Sequence, residues 1–138
     1  MPVSKIDGTG RRILVIDDDL AIRVLLQAVL KRMKFEVDLA EDGAAGLEKV
    51  RNNSEFDLIL LDLMMPRLNG YEFIEKIGQD FPKGRPHIVV FTAAGKRGVD
   101  KIPDSAVCNS ILKPFDLDKF IEIIGECLAG QHSVSKAR

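Results

Sequence analysis

Short apolar runs alternate along the chain with segments in which apolar residues recur every three or four positions. The run Ile13–Ile16 is continuous and largely β-branched, which is typical of a strand buried on both faces. It ends at three aspartates, and Asp18 or Asp19 is well placed to cap a following helix. The apolar residues of that helix, at spacings of three and four, are Ile22, Leu25, Leu26, Val29 and Met33. The pattern therefore predicts a strand followed by an amphipathic helix.

The same alternation continues to the end of the chain. Further strands are predicted at 35–40, 58–63, 87–91 and 107–112, and further helices at about 44–51, at 71–80 and from Leu117 to Leu128. Gly95, Gly98 and Pro103 interrupt the remaining helix, which we expect to be short or irregular. Strands that each precede a helix predict an α/β protein, a parallel five-stranded sheet covered on both faces.

The polar ends of the chain bound this unit. Residues 1–10 are expected to form a loose leader and residues 131–138 a short polar tail, leaving one domain over 11–130. A chain of 138 residues has room for one domain with a substantial core.

Composition excludes several classes of function. Twenty basic against 21 acidic residues give a net charge of −1, so we expect no nucleic-acid or membrane partner. The sequence lacks a secretory signal and any apolar run near the roughly 20 residues that span a bilayer, which favours the cytoplasm. Cys108 and Cys127 are too few for a disulfide framework, and we expect both to be buried small hydrophobic residues.

Polar residues stand where four of the predicted strands end. Asp17 and Asp18 close the first strand, Asp62 lies near the end of the third, Thr92 closes the fourth and Lys113 the fifth. If the strands take the flavodoxin-like order 2-1-3-4-5, these ends meet at one edge, with neighbouring strands about 4.8 Å apart. Lys113 then starts about 10 Å from Asp62, two strand spacings away, and its stem can lean back across the gap.

This grouping predicts a particular chemistry. Crowded carboxylates repel each other unless a cation intervenes, and Mg²⁺ suits such oxygen ligands and also accepts phosphate oxygens. One neutralised carboxylate can then attack phosphorus and form an acyl phosphate. A threonine hydroxyl and a lysine ammonium can share the charge on the phosphoryl oxygens.

Four segments carry a resemblance to a known family. ILVIDDD, DLILLDLMMPRLNG, VVFTAA and ILKPF resemble, in order and spacing, the signature segments of bacterial two-component response regulator receiver domains, of the single-domain chemotaxis type. The resemblance covers residues 11–129 and implies the flavodoxin-like (βα)5 sandwich. It also implies a phosphoprotein that receives its phosphoryl group from a sensor histidine kinase or a phosphotransfer protein. Such a protein catalyses only its own phosphorylation and dephosphorylation.

The resemblance assigns a role to each matching residue. Asp62 matches the phosphoacceptor; Asp17 and Asp18 match the acidic pair that, with Asp62 and the backbone carbonyl of Met64, binds Mg²⁺. Thr92 matches the switch hydroxyl. Lys113 matches the family lysine, and its bond to Pro114 is expected to be cis.

The chain departs from the family pattern in its readout region. Ser110 occupies the position, shortly before Lys113, where the family often carries an aromatic that moves with the threonine, and the fourth helix contains the breakers noted above. We therefore keep two alternatives beside phosphorylation-dependent signalling to an unknown protein, as a monomer or a phosphorylation-dependent dimer. One is a receiver that docks or dimerises without phosphate. The other is a small Mg²⁺-dependent phosphohydrolase of the haloacid dehalogenase type, with Asp17 as nucleophile.

Overall fold

The five strands lie in one parallel sheet, in the order β2-β1-β3-β4-β5. The structure, a computed structural model, describes residues 6–53, 55–81 and 86–130. The strands are β1 (Arg12–Ile16), β2 (Glu36–Ala40), β3 (Leu58–Leu61), β4 (His87–Thr92) and β5 (Asn109–Leu112). The predicted flavodoxin-like order is confirmed, and the winding direction reverses between β1 and β3, where ligands bind in such sheets.

Five α-helices connect and follow the strands. They are α1 (Leu20–Arg32), α2 (Gly43–Asn52), α3 (Gly70–Asp80), α4 (Gly95–Asp100) and α5 (Leu117–Leu128). Asp19 caps α1 by accepting a hydrogen bond from the Ala21 amide. As predicted, α4 is short: it has six residues, and no side chain caps its N-terminus.

Two apolar layers cover the sheet, one on each face. The α1–α5 layer packs Leu26, Leu30, Phe120, Ile121 and Ile124 against the sheet residues Ile13, Val15, Leu58, Leu60, Val89, Phe91 and Ile111. The α2–α3 layer packs Leu47, Val50, Phe73, Ile74 and Ile77 against Leu14, Ile16, Ile59, Leu61, Ile88 and Val90. The alternation of side chains along each strand explains why neighbouring residues enter opposite layers.

The two cysteines are buried, as predicted, but they are joined in a disulfide, which the sequence interpretation did not anticipate. Helix α5 folds back over the sheet and brings Cys127 beside Cys108, immediately before β5, with their Cα atoms 6.1 Å apart. The side chains belong to the α1–α5 layer. The two residues are 19 positions apart in sequence, so no local sequence motif predicts that they pair.

Part of the predicted leader contacts the domain. Ile6 packs on the α1–α5 layer, and the amide of Gly8 donates a hydrogen bond to the Met33 carbonyl. The predicted tail, residues 131–138, lies outside the described residues. Among the helices that the structure describes, none is long and apolar enough to cross a membrane.

Candidate functional site

Three aspartates meet where β1 and β3 end. Ile16 pairs with Leu61, and the Asp62 amide donates to the Ile16 carbonyl, so the chain leaves both strands at the same level. Each of Asp17, Asp18 and Asp62 offers a carboxylate oxygen, and these oxygens all lie within 4.8 Å of one another. Asp17 and Asp62 are buried and Asp18 is exposed. The predicted convergence is therefore present.

Lys113 reaches this group from the far side of β4. Its Nζ lies 2.8 Å from Asp17 Oδ2 and 3.6 Å from Asp62 Oδ2, so one ammonium bridges two carboxylates. The same Nζ stands 5.0 Å from the centre of the Phe91 ring. The peptide bond from Lys113 to Pro114 is cis, as the resemblance implied.

The pKa values of Asp17 and Lys113 depend on their burial and on their contact with each other. Burial raises the pKa of Asp17, even though the Lys113 ammonium and the Asp19 amide favour its charged form. Burial alone would lower the pKa of Lys113, but the hydrogen bond and the charge of Asp17, with Asp62 beside them, raise it. Lys113 therefore keeps its positive charge at neutral pH and partly neutralises the acidic group.

Thr92 is fully buried at the end of β4, the strand between those that lead to Asp62 and Lys113. Its Oγ accepts a hydrogen bond from the Ala94 amide at 3.1 Å. The hydroxyl proton stays available to another acceptor.

The segment after Asp62, residues 63–69, is here called the acceptor loop. The Met64 amide donates to Asp62 Oδ1 at 3.2 Å, and Met64 lines, together with Asp18, an open cavity of about 360 Å³. The Met64 side chain is largely exposed and does not pack beneath the loop.

The sequence analysis did not identify two residues that lie near the site. Asp42, at the start of α2, is buried and accepts hydrogen bonds from the guanidinium of Arg67 in the acceptor loop. An Asp before Gly43 is a recognisable helix cap, but its partner 25 residues away has no signal in the sequence.

The donor set of the acidic group fits Mg²⁺. All three side chains offer carboxylate oxygens, the hard ligands that this ion takes, and the exposed Asp18 leaves one side open to water and phosphate. Neither histidine nor sulfur belongs to the group, so nothing in it favours zinc over magnesium.

Comparison with known proteins shows the family. The family described as response regulator receiver domain matches residues 13–125. The chain belongs to this family, the phosphorylation-accepting domain of two-component signalling. Receiver domains interact with histidine kinases and bind Mg²⁺ at an acidic cluster, with which the aspartate group agrees.

Curated relatives are longer than this chain. Response regulator ArlR of Staphylococcus saprophyticus is 34% identical over 122 residues, which cover 87% of this chain and 53% of the relative. Transcriptional regulatory protein ZraR of Klebsiella oxytoca is 33% identical over 117 residues, 85% of this chain and 26% of the relative. The chain thus spans about half of the first and a quarter of the second.

Solved structures agree on the fold. A CheY-like response regulator receiver domain from Methanospirillum hungatei superposes with a TM-score of 0.79 at 30% identity, covering 88% of this chain and 95% of that one. Response regulator TrrA of Thermotoga maritima, solved with Mg²⁺ and BeF, gives 0.75 at 30% identity, covering 84% and 97%.

Proposed function

We propose that this chain accepts a phosphoryl group on Asp62 from the phosphohistidine of a kinase or phosphotransfer protein. Asp17, Asp18, Asp62 and the backbone carbonyl of Met64 hold Mg²⁺, and Thr92 and Lys113 stabilise the transferred group. The observation that carries the proposal is the meeting of three carboxylates and one ammonium from three strand ends.

The contacts of the two buried aspartates favour Asp62 as the acceptor. Asp17 has both oxygens engaged, Oδ1 by the Asp19 amide and Oδ2 by Lys113, and its exposed fraction is 0%. Asp62 accepts the Met64 amide on Oδ1, while its Oδ2 lies 3.6 Å from Lys113, beyond a hydrogen bond of normal length. This difference disfavours the phosphohydrolase alternative, in which Asp17 would be the nucleophile.

The transfer needs little from the protein beyond positioning and charge. An Asp62 oxygen forms a bond to phosphorus as the bond from phosphorus to the histidine nitrogen breaks, and the imidazole leaves with its electron pair. Mg²⁺ would neutralise charge on the carboxylates and the phosphoryl oxygens. The Lys113 ammonium lies between the Asp17 and Asp62 carboxylates, and Thr92, at the end of the strand between β3 and β5, can donate its hydroxyl.

An apolar patch beside the site supports a protein donor. Leu20, Val24 and Leu25 on α1 are exposed by 64%, 53% and 46%. Leu25 also lines, with Lys113 and Phe115, an open cavity of about 440 Å³. Exposed apolar surface of this kind marks interaction sites, and here a docked partner would bring its histidine to Asp62.

We also propose that the domain, residues 11–130, works in the cytoplasm and signals through another protein, as a monomer or a phosphorylation-dependent dimer. The near-zero net charge supports a protein target rather than nucleic acid.

Phosphorylation by a small donor tests the proposal. We expect acetyl phosphate with Mg²⁺ to add one phosphoryl group to the intact mass, and EDTA or Asp62→Asn to abolish the gain. Asp80→Asn, a change of the same charge in an exposed ion pair with Arg51, serves as the control. A gain that persists in Asp62→Asn would mean that the acceptor is wrong. Absence of any gain in the wild type would favour the docking module that needs no phosphate.

A further inference from the structure

The acceptor loop is attached to the start of α2 by an ion pair whose carboxylate is buried and whose guanidinium is largely exposed. The guanidinium of Arg67 donates from Nε to Asp42 Oδ2 at 2.8 Å, and its Nη2 contacts the same oxygen. The Asp42 side chain is only 3% exposed and also accepts the Ala45 amide, whereas the Arg67 side chain is 66% exposed. Burial by itself would raise the pKa of Asp42, but the Ala45 amide and Arg67 outweigh it and lower the pKa.

The backbone at Arg67 has a conformation that needs support from its surroundings. Arg67 has φ 62°, in the left-handed region that residues with a Cβ rarely adopt. Asn and Asp are enriched there, but arginine is not, so surrounding contacts must hold this conformation.

Two glycines complete the attachment of the loop. The Gly43 amide donates to the Leu68 carbonyl, and a Cβ at Gly43 would lie 2.2 Å from that oxygen. The Gly70 amide donates to the Leu63 carbonyl, and a Cβ there would lie 2.6 Å from Leu63 Cα. Met64 lies between these attachment points.

From this arrangement we infer that Arg67 and Asp42 are positioning residues for the metal site. By holding the acceptor loop against α2, the pair presets the backbone at Met64, whose carbonyl is the proposed ligand. Neither residue belongs to the acidic group, so they act through the loop. The inference rests on the proposed function, because it assumes that Mg²⁺ binds beside Asp62.

The sign of the effect separates positioning from simple electrostatics. Arg67 carries positive charge, so removing that charge should tighten Mg²⁺ binding if only charge mattered. If the ion pair positions the loop, the same change should weaken binding, because outer contacts that orient a ligand typically contribute 10- to 100-fold in metal affinity.

Calorimetric titration of the apo protein with MgCl₂ provides the test. We expect Arg67→Gln to raise the dissociation constant for Mg²⁺ about tenfold. Arg67→Lys keeps the positive charge but loses the planar guanidinium with its several donors, and it should raise the dissociation constant by less. Arg51→Gln is the matched control, since it breaks another arginine–aspartate pair, with Asp80, away from the acceptor loop. We expect that variant to bind Mg²⁺ as the wild type does.

Unfolding in EDTA separates positioning from a general loss of stability. Because the Arg67 side chain is mostly exposed, we expect Arg67→Gln to fold, with a larger loss of unfolding temperature than Arg51→Gln, since the buried Asp42 carboxylate loses its cation. Both variants should remain folded at the temperature of the Mg²⁺ titration. Unchanged or tighter Mg²⁺ binding in Arg67→Gln, in a protein whose wild type binds Mg²⁺ and is phosphorylated, would overturn the inference alone. A wild type that does neither would overturn the proposed function.

Discussion

The two apolar layers of the domain differ in the contacts that hold them together. The α1–α5 layer contains the Cys108–Cys127 disulfide and packed rings of Phe91, Phe115 and Phe120. The α2–α3 layer continues toward α4, which has six residues, and borders a groove of about 450 Å³ between Tyr71, Ile74 and Ile102. Ser110 pairs with Val90 of the α2–α3 layer, whereas the next residue, Ile111, belongs to the α1–α5 layer.

This difference shows where the domain can change shape. Closely packed interiors resist rearrangement, whereas a short helix beside a groove has few contacts to lose. Tyr71 still ties α3 to α4, donating its hydroxyl to the Gly98 carbonyl at 2.8 Å. Thr92 is the last residue of β4, the strand that contains Val90. The Thr92 hydroxyl accepts a hydrogen bond from the amide of Ala94, the residue directly before α4. The layer next to the proposed switch hydroxyl is therefore the one that borders the short helix α4.

The largest expected effect comes from truncating one isoleucine in each layer. Ile121→Ala, at a site with 0% exposure, should reduce the free energy of unfolding by about 4 kcal/mol, because the side chains packed around it cannot fill the cavity. Ile74→Ala should cost only about 2 kcal/mol, since Ile74 already borders the groove. Urea unfolding in EDTA measures both values. Equal losses would contradict the proposed difference between the layers.

Opening the disulfide should have a somewhat smaller effect. The bond joins residues 19 apart, and closing a loop of that length contributes about 3 kcal/mol in the chain-entropy account. We expect a phosphine reductant to lower the free energy of unfolding by that amount in the wild type and not in the Cys108→Ala/Cys127→Ala variant. Two free thiols in denatured, unreduced protein would show that the bond does not form.

The smallest effect is expected at Ser110. Its hydroxyl is buried and has no hydrogen-bond partner among residues 6–53, 55–81 and 86–130. Replacing an unpaired buried hydroxyl by a methyl group removes a desolvation cost, so Ser110→Ala should leave stability unchanged or raise it by about 0.5 kcal/mol. Thr92→Ser, which keeps a paired hydroxyl, is the control. A loss above about 1 kcal/mol in Ser110→Ala would mean that the hydroxyl is bonded.

Most of the fold could be predicted from the sequence because its signals are local. Continuous apolar runs marked buried strands, and helical periodicity marked the helices, with bounds that differ by few residues. The strands proved shorter than predicted at β3 and β5, so Asp62 lies just beyond β3. The strand order was first assumed to be flavodoxin-like and then implied by the family resemblance, since periodicity does not encode which strands are neighbours.

In the candidate site, too, residues with a local sequence signal could be predicted and contacts between distant segments could not. Residues at strand ends, such as Asp17, Asp62 and Lys113, could be predicted because parallel strands end at a common edge. Contacts between loops could not: Arg67 reaches Asp42 only because the acceptor loop folds over α2. Likewise, the pairing of Cys108 with Cys127 depends on where α5 returns over the sheet.

The position of Asp62 after β3 has a consequence for fluctuations. β3 is the middle strand, with two strands on either side, and its four residues are all buried. Amide hydrogens in such a strand exchange with solvent only when the whole domain opens, whereas those of a short helix at the periphery exchange through local opening. We therefore expect the proposed phosphoryl-carrying residue to follow the slowest-exchanging backbone among the described residues, and the amides of α4 to exchange through local opening.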